Sequence, residues 1–244
     1  MQILLSGFSD ALGQLPAFIG SFLKVSLVAS LFAMIISLII GVILGLMGTS
    51  KHILLKGISR AFVELFQNTP ILILLFFLYA FSPYIFGKTV DAMTIGTIVL
   101  GVYHGAYMCE IVRSGIESIP KGQSEAALSQ GFSYVDTMRY IILPQALRKM
   151  VPSLTTQIVG IVKNSSILQC IAVADLMYQA EVWTSYSGHC GPAYIIAAMI
   201  YFIACYPLTC LSRYLENKVK EGYATKKVKK VRKEKIPGGV ENAS

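Results

Sequence analysis

An all-α integral membrane fold is the class that the sequence predicts, and three observations predict it. Of the 244 residues, 55% are hydrophobic and 14% charged, against about 25% charged in an ordinary soluble domain. Five apolar runs are each long enough to cross a hydrocarbon core, which takes about 20 helical residues. The basic residues cluster between these runs rather than within them. Backbone polar groups in lipid must be satisfied within their own segment, so five transmembrane helices are expected, with little or no sheet.

The runs lie at 18–47, 61–86, 93–112, 151–174 and 194–215. The first exceeds what a bilayer requires and is expected to tilt or to begin outside the core. It is also too long, and too poor in charge at its start, for a cleaved signal. Gly41 and Gly45 in the first run, and Gly101 and Gly105 in the third, have the spacing that lets membrane helices approach closely. Close packing is their expected role. Residues 49–60, TSKHILLKGISR, interleave Ile53, Leu54, Leu55 and Ile58 with Lys51, Lys56 and Arg60, a pattern suited to a short helix lying in the membrane interface.

Charge sets the orientation. All Lys and Arg except Lys24, Lys88 and Lys163 fall in three segments: Lys51 to Arg60, Arg113 to Lys149, and the tail from Arg213 onward. The positive-inside rule makes these segments cytoplasmic. Five alternating spans give the same answer, N-terminus out and C-terminus in. The net charge of +8 is thus explained by orientation, and no nucleic acid is expected as a partner. The lysine-rich tail at 218–244 is expected to be disordered, resting against anionic lipid headgroups worth about 1 kcal/mol per basic residue. The cysteines Cys109, Cys170, Cys190, Cys205 and Cys210 form no C-x-x-C pair and have no histidine at metal spacing. Cys190, in an outer loop, is the one position read as open to reaction or bridging.

Between the third and fourth runs lies a charged interruption. Ser118-Ile119-Pro120 reads as a helix start, since proline is tolerated in a first turn. Glu117, Lys121 and Glu125 are spaced to support one another on an exposed face, and Ala126 and Ala127 would let a partner's groove come close. Gly131 supplies a left-handed residue to end the helix. Ser133 and Asp136 resemble a capping box for a second helix, and Pro144 is expected to break the run before the next span. A cytoplasmic helix–turn–helix follows.

The same segment, EAALSQGFSYVDTMRYIILP, places Glu125, Ala126, Ala127, Gly131, Ile141, Leu143 and Pro144 in the register E-A-A, three residues, G, nine residues, I-x-L-P. It resembles the coupling loop of bacterial ABC importer permeases. FVELFQNTPILILLFFLYAFSP, AYMCEIVRSGIESIPKGQ and LPQALRKMVPSLTTQIVGIVKNSSIL extend the likeness to the polar amino-acid permeases of the histidine, glutamine and arginine type, over roughly residues 15–215. The resemblance implies a permease domain at 1–217, with its coupling loop at about 117–146, in a bacterial plasma membrane. It also implies a second permease copy or a related permease, a cytoplasmic ATPase dimer carrying ATP and magnesium, and an extracytoplasmic solute-binding protein. Transport would follow alternating access. The chain itself has no G-x-x-x-x-G-K-[ST] phosphate loop, so no cofactor is expected on it and no catalysis by it. Two departures from the resemblance bear on substrate: Gln67-Asn68 stands where relatives often have Arg-Gly, and Lys163-Asn164-Ser165-Ser166 where they often have Lys-Asp-Thr-Ser. Glutamine, glutamate, arginine, histidine and cystine are all compatible.

Polar residues deep in lipid mark function, because a charge at the bilayer centre costs about 2.5–3.5 kcal/mol on insertion scales. On straight helices Thr69 would lie about 13 Å beyond Arg60, and Lys163 about 18 Å beyond Val151. Glu64, Asn68 and Thr69 on one helix, and Lys163, Asn164 and Ser165 on another, are therefore the candidate amino-acid contacts. Glu64 suits the ammonium, Lys163 the carboxylate, and the others hydrogen bonds. A competing arrangement has Glu64 and Lys163 neutralising each other, or Lys163 pairing with Asp175. Glu110 with Arg113 reads as a structural ion pair or a gate contact, and His104 as a hydrogen-bonded packing group. A self-sufficient secondary transporter or channel is the competing function; the absence of an internal repeat and the coupling-loop register weigh against it.

Overall fold

The computed structural model describes residues 2–234, with side chains over 7–219 apart from residue 190. In chain order these residues form α1 (Gln2–Gly13), α2 (Leu15–Ser21), a π segment (Phe22–Ser26), α3 (Leu27–Gly48), α4 (Ile53–Gln67), α5 (Ile71–Phe86) and α6 (Ala92–Glu117). There follow α7 (Lys121–Ser129), α8 (Tyr134–Asp136), a second π segment (Thr137–Ile142), α9 (Leu143–Asn164), a 3₁₀ segment (Ser165–Ile171), α10 (Leu176–Ser187) and α11 (Cys190–Glu234). No strand occurs among the described residues.

Among the described residues, three helices are long and apolar enough to cross a membrane: Leu15–Gly48, Ala92–Glu117 and Gly191–Val219. Two further pairs qualify only jointly, α4 with α5 across a bend of 100°, and Tyr134–Ile171 with Leu176–Ser187 across 47°. Counting each bent pair as one gives five spans.

The α3 helix is small inside and bulky outside. It buries Ala29, Ser30, Ala33, Ser37, Gly41, Gly45 and Gly48 and exposes Leu31, Phe32, Ile35, Ile39 and Ile43. That pattern suits a helix whose outer solvent is hydrocarbon and whose inner face must approach another backbone. The partner is α6, its most extensive neighbour, and the fit is reciprocal. A Cβ on Gly45 would lie 2.6 Å from the Val112 Cβ, and one on Gly101 would lie 2.6 Å from the Ile36 Cγ2. Gly41 likewise receives Met108, and Gly105 receives Ile40. Each helix thus sinks bulky side chains into the other's glycine notches, as their spacing predicts. At the start of α6, Asp91 accepts hydrogen bonds from the Thr94 N–H at 2.9 Å and the Thr94 hydroxyl at 2.6 Å. These two donors hold its carboxyl below the usual range.

The second expected span is not one straight helix. Residues 53–60 of the expected interfacial piece and the start of a span (61–67) form the single helix α4, and the chain turns at Asn68–Pro70. Pro70 cannot donate to the Phe66 carbonyl and its ring collides there, so the helix ends instead of kinking. The fourth expected span also changes character. Its α-helix stops at Asn164, continues as 3₁₀ to Ile171, and closes on Ala172 with a φ of +58°. The α10 helix then occupies what was expected as an outer connection. Pro144 does not break the chain: α8, the π segment and α9 run on through it. The widened π turn immediately before Pro144 accommodates its missing N–H. The helix α11 continues through 218–234, where a disordered tail was expected; no proline intervenes between Pro207 and Pro237. Residues 235–244 and the side chain of Cys190 lie outside the described residues.

Candidate functional site

The charged interruption is built from local rules. Pro120 precedes α7 as its N-cap, and Ser118 closes α6. Glu117 therefore belongs to α6, where it pairs with Arg113, and the expected Glu117–Lys121–Glu125 stripe does not form. The α7 helix ends on Gly131, whose φ is +85°. The Phe132 N–H donates to the Ala127 carbonyl at 3.2 Å and the Gly131 N–H to the Leu128 carbonyl at 3.0 Å. This pair of bonds satisfies carbonyls that a helix end otherwise leaves open. Ser133 then starts α8, accepting from the Asp136 N–H at 3.1 Å while its own hydroxyl donates to the Asp136 carboxylate at 2.6 Å. The capping residues are those expected, although Asp136 reaches the Ser133 hydroxyl rather than its N–H.

Of the seven residues in register, Glu125, Ala126, Gly131 and Pro144 are exposed. Ala127 is buried at 5%, packed within this chain. Ile141 and Leu143 lie half-buried against a cluster of Val112, Ile116, Ile119, Ile142, Ala146 and Met150. That cluster roots the loop on α6 and α9. Sequence reasoning missed the exposed apolar side chains Leu128, Phe132, Tyr134 and Val135, the last 69% exposed. Their signal was available, since four bulky apolar residues flank a turn glycine in an otherwise polar stretch.

The deep polar residues are mostly engaged. Glu64 pairs with Arg60 at 2.7 Å. The Asn68 side-chain amide donates to the Glu64 carbonyl, and the Thr69 hydroxyl to the Leu65 carbonyl, each at 2.7 Å; both cap the broken end of α4. The Gln67 amide reaches the Ala106 carbonyl of α6 at 3.3 Å. On the other helix, Asn164 donates to the His104 imidazole at 3.1 Å, and the buried Ser165 donates to the Val162 carbonyl at 2.8 Å. Lys163 is exposed. Among the described residues no carboxylate lies within salt-bridge reach of it. Neither expected partner engages it: Glu64 is held by Arg60, and Asp175 is buried as the N-cap of α10, accepting from the Tyr178 N–H at 2.8 Å. Glu110 and Arg113 form the ion pair expected of them, which Glu117 extends.

Among the described residues, Glu64, Thr69 and Lys163 line three different spaces. Glu64 lines a space of about 420 Å³ with Lys56, Ser59, Arg60, Glu110 and Arg113. Thr69 lines an apolar groove of about 530 Å³ with Phe66, Phe77 and Val102. Lys163 lines a third of about 480 Å³ with Tyr201, Phe202, Cys205, Tyr206 and Thr209 of α11. The 100° bend between α4 and α5 lies at Asn68–Pro70, directly beside Thr69.

Comparison with known proteins accounts for this architecture. The family described as binding-protein-dependent transport system inner membrane component matches residues 37–221. The probable glutamine ABC transporter permease protein GlnM of Bacillus subtilis is 40% identical over 69% of this chain and 78% of its own length. The probable glutamine ABC transporter permease protein GlnP of the same organism is 36% identical over 63% of this chain and 72% of its own. A crystal structure of an amino acid ABC transporter with histidines superposes with a TM-score of 0.79 at 31% identity, covering 86% of this chain and 98% of that one. An inward-facing methionine ABC transporter, at 22% identity and a TM-score of 0.65, shares the fold. The chain belongs to the family of binding-protein-dependent transport system inner membrane components, among the amino-acid ABC transporter permeases.

Proposed function

We propose that this chain is the membrane-spanning subunit of an ATP-driven importer that carries a polar amino acid into the bacterial cytoplasm by alternating access. The observation that carries the reading is the loop from Pro120 to Pro144: a helix ended on Gly131, rooted by an apolar cluster, and presenting Glu125 beside exposed Leu128, Phe132 and Val135. Such a surface fits a groove on another protein. In this reading the groove belongs to a cytoplasmic ATPase dimer that binds ATP and magnesium. The helices cross the plasma membrane five times, N-terminus out and C-terminus in, each bent pair being one span. A second permease, identical or related, completes the pathway, and an extracytoplasmic binding protein delivers substrate. The names of the relatives make glutamine the first substrate to test.

Lys163 is the candidate contact for the substrate carboxylate, since its ammonium faces a groove. Glu64, Asn68, Thr69, Asn164 and Ser165 hold their present bonds in the single chain, and a role for them requires the cavity between two permeases. The test is Glu125→Lys in a complex reconstituted with its ATPase and binding protein. The substitution lies on an exposed face, so insertion should be unchanged. Substrate-stimulated hydrolysis and uptake should fall about tenfold or more, equivalent to ~1.4 kcal/mol of docking energy. Uptake that persists without any ATPase would instead support a secondary transporter.

A further inference from the structure

Two ties join α6 to α9. One is at the loop, where the Lys149 ammonium donates to the Ser118 carbonyl at 2.8 Å. The other is His104, near the middle of α6 and 3% exposed. Its Nδ1–H donates to the Gln157 Oε1 at 3.0 Å, and its Nε2 accepts from the Asn164 amide at 3.1 Å. Both ring nitrogens are thus committed to a single helix. Gln157, Gly160 and Asn164 are spaced three and four apart, which places them on one stripe of α9. Gly160 completes the seat: a Cβ there would come within 3.2 Å of the His104 Cε1. The ring lies against bare backbone, one turn from each of its partners.

The place held by this clasp is where α9 changes form. Asn164 is the last residue of α9, and Ser165 opens the 3₁₀ segment. Lys163 precedes Asn164 and faces the groove on α11. Asn164 therefore turns inward to α6 while its neighbour turns outward. On the other side of the clasp, α6 runs unbroken from His104 to Glu117, next to the loop. We infer that His104 is a positioning residue for transport: by fixing α6 to the end of α9, it makes a displacement of the loop move Lys163 and the 3₁₀ segment with it. The inference rests on the proposed importer function. It assigns Asn164 to this clasp instead of to the substrate.

The experiment compares wild type, His104→Phe, His104→Gln, Asn164→Ala and the double variant that combines His104→Phe with Asn164→Ala. Each is reconstituted with the ATPase and binding protein in liposomes and assayed for radiolabelled L-glutamine uptake and ATP hydrolysis. In His104→Phe the phenyl ring would fill the seat and make neither bond, so uptake per ATP should fall about tenfold with unstimulated hydrolysis kept within about twofold of wild type. The amide of His104→Gln offers a donor and an acceptor and should recover most of the loss. Asn164→Ala should resemble His104→Phe, and the double variant should be little worse than either alone, as for residues acting through one contact. Unchanged uptake per ATP in His104→Phe overturns the inference, as do losses that simply multiply in the double variant. Should His104→Phe fail to insert, His104→Gln and Asn164→Ala decide: wild-type coupling in both overturns it. Wild-type uptake that ignores ATP refutes the importer reading instead, and that result is read from wild type alone.

Discussion

The Lys149 ammonium donates to both the carbonyl and the hydroxyl of Ser118, at 2.8 and 3.1 Å. Ser118 closes α6 and Lys149 lies in the second turn of α9, so one side chain links the helices that enter and leave the loop. The link uses an orphan carbonyl that a helix end would otherwise leave to water. A charge-assisted bond to such a group at a partly exposed site is worth about 1 kcal/mol. It complements the bond from Gln145 to Gln123, at 3.4 Å, which connects α9 with α7.

Lys149→Ala should therefore loosen the loop without disturbing insertion. The ATPase should bind about fivefold more weakly, which corresponds to ~1 kcal/mol, and Lys149→Arg should recover most of that. Titration of the ATPase onto the liposome-embedded permease, read as stimulated hydrolysis, measures it. Equal binding by wild type and Lys149→Ala would remove the link from any functional account.

Gly131 is governed by backbone geometry alone. Its φ is +85°, and nothing lies within 4 Å of where a Cβ would sit. Space is open, so any penalty is that of the left-handed conformation, roughly 1–2 kcal/mol for an ordinary L-residue. Asparagine visits that region most readily after glycine. The expected order of ATPase stimulation is wild type, then Gly131→Asn, then Gly131→Ala, with Gly131→Val lowest. If Val is tolerated as well as Asn, the turn does not need its left-handed residue.

The glycine notches make the opposite prediction. Gly45 and Gly101 are helical, so their backbone angles suit any residue, but a Cβ on either would meet the facing helix at 2.6 Å. Gly45→Ala and Gly101→Ala should each lower stability by about 1–3 kcal/mol through overpacking. Gly57, in α4 with nothing within 4 Å, is the control, and Gly57→Ala should be neutral or slightly stabilising. Thermal unfolding of the purified protein in detergent distinguishes the three.

Much of the candidate site was legible because it depends on local chemistry. Gly131 ends a helix, Ser133 starts one, and the register from Glu125 to Pro144 survives whatever surrounds it. The burial of Ala127 was not legible, because exposure is not a local property: its methyl group is covered by the chain's own packing. The Glu117 stripe failed for a related reason, since Arg113 lies one turn away on the same helix and Lys121 lies across Pro120 on another. The 100° turn at Asn68–Pro70 was not legible either, because a proline fixes where a helix ends but not the direction that the chain then takes.

The sequence by itself determined that this is an all-helical membrane chain, that its glycines at 41, 45, 101 and 105 pack helices closely, and that the 117–146 segment ends a helix at Gly131 and starts another at Ser133. These follow from composition, spacing and turn chemistry, which act over a few residues. Only the tertiary structure decided that α4 and α5 meet at 100°, that Pro144 sits in a continuous helix, and that Asn164 belongs to His104. Those outcomes depend on which groups meet across distant parts of the chain. His104 and Asn164 are 60 positions apart, and no short-range rule brings one to the other; the packing of α6 on α9 does.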